Sequence, residues 1–197
     1  MTERDPDLQR FLDAVFASID ERADGPAAAV ARRIRSALDH PAPWPSEAKP
    51  RRLPVCDELA PALETARHAP GLATVADALA VLDDRLAWTR RAGSEAADGT
   101  FYDAHANTLI VGPMGIEARD DVSIGLSLLA PEVRYPDHDH EPEEVYLVLS
   151  PGEWRQGDLP WQEPGVGGIV HHEPSVLHAM RSGASPLLAV WCLWMEG

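Results

Sequence analysis

His138, His140, Glu144 and Tyr146 fall at even positions within one short stretch and hold the chain's densest chemical capacity. In an extended strand successive side chains alternate faces, so residues two apart share one. A strand over residues 143–149 turns Glu144 and Tyr146 to one side and Val145, Leu147 and Leu149 to the other. His138 and His140 obey the same parity, with Pro142 interrupting the pairing between the two halves. His178, after a turn-rich Gly168-Ile-Val-His-His-Glu-Pro174 box, adds an imidazole from a neighbouring strand. Imidazoles and a carboxylate on one face are the usual donors for a divalent transition metal, and zinc, iron, manganese and nickel all accept them. One such metal is expected, held by His138, His140, Glu144 and His178. His171 and His172 are adjacent, so at most one faces inward, and both read as structural or rim residues.

These residues must be positioned by two kinds of element. In the first half Leu8, Phe11, Leu12, Val15, Phe16 and Ile19 form the apolar stripe of a helix. Pro26 opens a second helix through Val30, Ile34 and Leu38. Five prolines from Pro41 to Pro54 mark an irregular connector, with Trp44 as a packing anchor. Asp57 is positioned to cap a third helix to about His68, and Leu72, Val75, Leu79, Leu82 and Leu86 predict a fourth that ends near Gly93. After Gly99 the texture changes to short apolar runs at 107–111, 122–129, 143–149, 153–156, 168–172, 178–181 and 187–194, separated by Gly and Pro turns. This spacing predicts a β-sandwich or small barrel. The expected division is a helical segment, residues 1–98, packing on a barrel, residues 99–197.

With 17 basic against 32 acidic residues the net charge is −15. Such a surface repels nucleic acid and anionic lipid, so neither is expected as a partner. No apolar run is long enough for a transmembrane helix and no secretory signal opens the chain, so a cytoplasmic location is expected. Cys56 and Cys192 are far apart and fit two buried free thiols of a reducing compartment. Composition leaves a homo-oligomer open.

His138-x-His140-x-x-x-Glu144, Gly152, and the box from Gly168 through Pro174 to His178 resemble the two motifs of the cupins, with Gly152 one residue late and Val176 where the second motif has glycine. Tyr135-Pro-Asp-His138, the run from Glu143 to Trp154, His178-Ala-Met-Arg-Ser-Gly183 and Pro186-Leu-Leu-Ala resemble, more narrowly, the cupin-type dimethylsulfoniopropionate lyases. The resemblance implies a mainly β fold, a double-sheet, jelly-roll-like barrel preceded by helices, and cleavage of a small zwitterionic sulfonium carboxylate to dimethyl sulfide and acrylate. By the same resemblance His138, His140, Glu144 and His178 fall on metal positions, Tyr146 on the catalytic base and Tyr135 on a second tyrosine that binds or deprotonates substrate. Without metal neighbours Tyr146 would read as a packing aromatic. Aromatic faces attract a sulfonium cation, which makes Tyr102, Trp191 and Trp194 the substrate-binding candidates; Trp191 and Trp194 differ in parity, so a regular strand sends only one inward. Two rival readings share the motifs: a metal-dependent oxygenase, and a non-catalytic, metal-stabilised binding barrel.

Overall fold

The computed structural model describes residues 3–42, 48–94 and 99–195. Trp44 and the expected boundary at residue 98 lie outside them. Asp5 accepts hydrogen bonds from the amides of Asp7 and Leu8 and starts α1, Pro6–Arg22, whose stripe from Leu8 to Ile19 is buried. α2 is Gly25–Ala37. Asp57 caps nothing; it lies inside a 3₁₀ turn, Pro54–Glu58, that runs directly into α3, Leu59–His68. α4, Ala73–Leu82, stops short of the expected end near Gly93. A 3₁₀ turn follows, and the chain is then extended: Leu86 and Trp88 are buried at alternate positions, and Thr89 bridges antiparallel to Asn107. Alternate burial of Leu86 and Trp88 is a strand period, which the helical stripe ending at Leu86 concealed.

A short helix α5, Gly99–Asp103, precedes eight strands: β1 His105–Val111, β2 Val122–Leu129, β3 Arg134–His138, β4 Glu143–Val148, β5 Glu153–Gln156, β6 Ile169–His172, β7 His178–Arg181 and β8 Leu187–Trp194. They form an antiparallel five-stranded sheet, β1-β2-β8-β4-β6, facing a three-stranded one, β3-β7-β5. The double-sheet barrel expected above is present, with helices before it. β3 was not among the expected strands because it contains Pro136. It is an edge strand, and its register shifts between Tyr135 and His138, where a proline without an N–H is tolerated.

The large sheet has two buried faces. Val145, Leu147, Val190, Cys192, Ile124 and Leu126 point outward into one apolar core shared with α1–α4. Tyr146, Val148, Leu187, Ala189 and Leu129 point inward to a second core inside the barrel. α2 lies across β4, β6 and β8. Burying each such aliphatic side chain stabilises by about 1.5–3 kcal/mol, so β4 is fixed from both sides. A buried ion cluster fastens the N-terminus to the barrel: Arg4 Nε lies 2.6 Å and Arg119 Nη1 3.1 Å from the carboxylate of Glu117. Burial pushes the Glu117 carboxyl up, but hydrogen bonds from Arg4 and Arg119 outweigh it and hold the pKa below the usual range. No helix among the described residues is long and apolar enough to cross a membrane.

Candidate active site

Strand register lays the inner face out in rows. One runs Ser123–Leu193–Glu144–His172, and the next Leu109–Gly125–Trp191–Tyr146–Val170. A third carries Asn107 beside Ser127. From the opposite sheet His138 pairs with His178 and Tyr135 with Met180. The bulge at Pro136 is what lets Tyr135 and His138, of opposite parity, line the same cavity. His140 follows from the turn between β3 and β4. These elements enclose a cavity of about 270 Å³ whose lining includes Tyr135, His138, His140, Glu144, Tyr146 and Trp191.

Glu144 is the hub. Its Oε2 lies 3.2 Å from His140 Nε2, 3.1 Å from His172 Nδ1 and 3.5 Å from His178 Nε2. Burial alone would raise this carboxyl; hydrogen bonds from His140 and His172 bring it down to about 2. Three imidazoles are oriented the same way: Nδ1 of His138, His140 and His178 lies 2.8–2.9 Å from the carbonyls of Pro136, Pro142 and Val176 respectively. A carbonyl only accepts, so each Nδ1 carries a proton; Nε2 of His138 and of His178 presents its lone pair to the cavity, while Nε2 of His140 donates to Glu144. Burial, then the facing imidazoles of His172 and His138, hold His178 down at about 3, and burial holds His138 at about 4. Burial also opposes charge on His140, but its hydrogen bond to Glu144 raises the pKa.

Does this set suit a metal? One ligand atom from each of His140, Glu144 and His178 can lie within 4.8 Å of the others. His178 Nε2 is buried with no hydrogen-bond partner, and its lone pair faces a carboxylate oxygen. Two lone pairs turned toward each other in a dry site call for a cation between them. The donors therefore fit a divalent transition metal. His138 stands outside that trio, its ring 4.1 Å from that of His178 and 6.3 Å from that of His140.

The remaining candidates separate. Tyr146 is buried; burial first, then the Glu144 charge, keeps its phenol protonated well above the ordinary value. Burial also raises Tyr135, while a hydrogen bond from Asn107 Nδ2 at 3.1 Å works against the rise. Asn107 is oriented by Ser127, whose hydroxyl donates to Asn107 Oδ1 at 2.8 Å. Trp191 lines the cavity, but Trp194 does not. It packs on the helical core under Arg33, at 4.5 Å. Tyr102 is also outside the lining, under Arg90 at 4.2 Å. Strand parity explains the split between Trp191 and Trp194; Tyr102 lies in α5, where no strand parity applies.

The sequence reading missed several groups. His172 is fully buried and bonded to Glu144, so it is the one of the adjacent pair that faces inward, away from the rim; His171 pairs outside with Glu143 at 2.8 Å. The β4–β6 register, Glu144 opposite His172, was the signal available. Arg91, Asn107 and Ser127 also line the cavity. Arg91 carried no signal, because it was expected at the end of a helix.

A family model for dimethylsulfoniopropionate lyase matches residues 26–189. The chain belongs to that family. The match takes in most of α2, helices α3 to α5 and the barrel as far as the start of β8; α1 precedes it. A protein of Cereibacter sphaeroides assigned as the dimethylsulfoniopropionate lyase DddL is 25% identical over 93% of this chain and 79% of its own length. The dimethylsulfoniopropionate lyase DddQ of Ruegeria pomeroyi is 27% identical over 98% of this chain and 92% of its own. The crystal structure of DddQ from Ruegeria pomeroyi superposes with a TM-score of 0.69 at 22% identity, covering 97% of this chain and 92% of that one. A chain from the crystal structures of the lyases RdDddP and RnDddQII gives the same TM-score, 0.69, at 20% identity, covering 97% and 93%. Helices preceding a barrel are thus common to this chain and those lyase structures.

Proposed function

We propose that this member of the dimethylsulfoniopropionate lyase family cleaves dimethylsulfoniopropionate by β-elimination. A base removes a proton from the carbon beside the carboxylate, the C–S bond breaks with its electron pair on sulfur, and dimethyl sulfide and acrylate leave. The observation that carries the reading is the hub of Glu144, His140 and His178 one row from Tyr146 on the same inner face. His140, Glu144 and His178 would hold the metal, with His138 beside them; zinc, iron, manganese and nickel all suit His and carboxylate donors. A bound dication neutralises Glu144, favours a neighbouring phenolate and draws charge from a substrate carboxylate.

The other roles belong to the chain. Tyr146 is the base that takes the carbon-bound proton, and it must lie on the hub's side of the cavity to reach it. Tyr135 assists, its oxygen held by Asn107. The face of Trp191 attracts the sulfonium. A cavity of about 270 Å³ lies just below the range for drug-sized ligands and suits a small acid. Two free, buried thiols, Cys56 and Cys192, agree with a cytoplasmic location.

Purified protein incubated anaerobically with dimethylsulfoniopropionate should release dimethyl sulfide into the headspace, and Tyr146→Phe should abolish release while retaining metal. No release at full metal occupancy overturns the proposal. Oxygen uptake with another small acid would favour the oxygenase instead.

A further inference from the structure

Arg91 is the one cationic lysine or arginine side chain in the cavity lining. Its neighbour Arg90 is paired with Asp103 at 2.8 Å, and most of the described arginines have such a carboxylate. Arg91 has none: among the described residues its guanidinium makes no ion pair and no hydrogen bond. In a chain with 32 acidic residues against 17 basic ones, a cation at a cavity with no carboxylate among the described residues is a feature to be explained.

Its backbone is firmly held. The Arg91 N–H donates to His105 Nε2 at 2.9 Å. His105 is fully buried, donates through Nδ1 to the Phe101 carbonyl, and stacks on the Phe101 ring at 3.8 Å. Phe101 in turn meets the edge of Tyr135 at 4.8 Å. The guanidinium carbon lies 5.7 Å from the centre of the Tyr135 ring. Arg91, Asn107 and Trp191 also line an adjoining cavity of about 540 Å³, so Arg91 stands where the two meet.

We propose that Arg91 reads the carboxylate of the substrate and makes the site selective for small molecules with an anion at one end and a cation at the other. This deepens the lyase reading and takes its substrate class from it. Guanidinium is always charged and offers a planar fork of donors that matches a carboxylate. Outside the metal hub the lining bears the carboxylate of Asp139, which disfavours a bare anion; Arg91 supplies the opposing charge beside the aromatic surfaces of Tyr135 and Trp191.

The test is calorimetric binding of propionate and its neutral isostere propionamide to the metal-loaded protein, to Arg91→Gln and to Arg91→Lys, with thermal unfolding to check that each variant is folded. Arg91→Gln should bind propionate about tenfold more weakly, the lower end for a charge-assisted hydrogen bond at a part-exposed site. Its affinity for propionamide should change less than about twofold. Arg91→Lys should recover part of the loss, since it keeps the charge without the fork. Unchanged propionate binding in Arg91→Gln overturns the proposal, as does a preference for propionate that survives this substitution and disappears only when the metal is chelated. The lyase reading fails separately, by absence of dimethyl sulfide release from the wild type, and the propionate result stands whichever way that assay falls.

Discussion

Gly125 offers a test of how the site is built. It lies on the inner face of β2, opposite Trp191 of β8. A Cβ added there would meet the Thr108 carbonyl oxygen at 2.2 Å and Trp191 Cζ2 at 2.3 Å. Ordinary carbon contacts fall at about 3.5–4.0 Å, so both approaches are short by more than about 1 Å. The Thr108 oxygen belongs to the backbone of β1 and cannot yield without disturbing the β1–β2 ladder. The indole must therefore move into the cavity. Overpacking of this kind costs about 1–3 kcal/mol, and in a chain of this size each kcal/mol lowers Tm by about 2–4 °C. Gly125→Ala should then lower Tm by about 2–12 °C. It should also weaken substrate binding in a cavity of about 270 Å³ that has little space to lose. Metal content should be unchanged, because Glu144 lies in another row, His140 in a turn and His178 on the opposite sheet. Calorimetric unfolding, metal analysis and headspace assays on the purified variant measure the three outcomes. Adding Trp191→Leu should restore part of the stability but not all of it, since the clash with Thr108 remains. A Gly125→Ala protein with wild-type Tm and wild-type substrate binding would refute the close seating of Trp191 on β2.

Two further outcomes follow from buried carboxylates. Glu144→Gln removes the charge around which three imidazoles gather and should cost more than the 10- to 100-fold in metal affinity typical of outer-shell changes, read by metal content after dialysis. Glu117 has its folded pKa depressed by Arg4 and Arg119, so its contribution is complete above the unfolded value near 4.5 and is lost as pH falls through the lower folded value. Glu117→Gln should destabilise by about 3 kcal/mol at neutral pH, as expected when a buried ion cluster loses one member. The deficit should shrink in acid, and a deficit independent of pH would contradict the assignment.

What the sequence disclosed depended on how regular each segment was. The run 143–149 is a clean alternation, and its parity separates Glu144 and Tyr146 from Val145 and Leu147 as the structure does. The same argument parted Trp191 from Trp194. Parity failed at β3, where Pro136 and its bulge put Tyr135 and His138 into one cavity despite their odd separation. It could not reach Arg91 or Tyr102, whose positions depend on where α4 stops and on α5. Nor did it rank His171 against His172. That needed the register between β4 and β6, a pairing 28 residues apart that no local pattern encodes.

The helices serve the chemistry through that register. Side chains in a strand repeat every two residues, so a slip of one position would turn Glu144 and Tyr146 outward and bring Val145 and Leu147 into the cavity. The cost of such a slip is set mainly on the outer face. Val145, Leu147, Val190 and Cys192 are fully buried there against α1–α4, and a slip would put a carboxylate and a phenol in that apolar core. Burying an unpaired ionised carboxylate is far more expensive than losing any one hydrogen bond. The apolar residues of the helical half, none with a reactive group at the site, thereby determine which side of β4 faces the imidazoles.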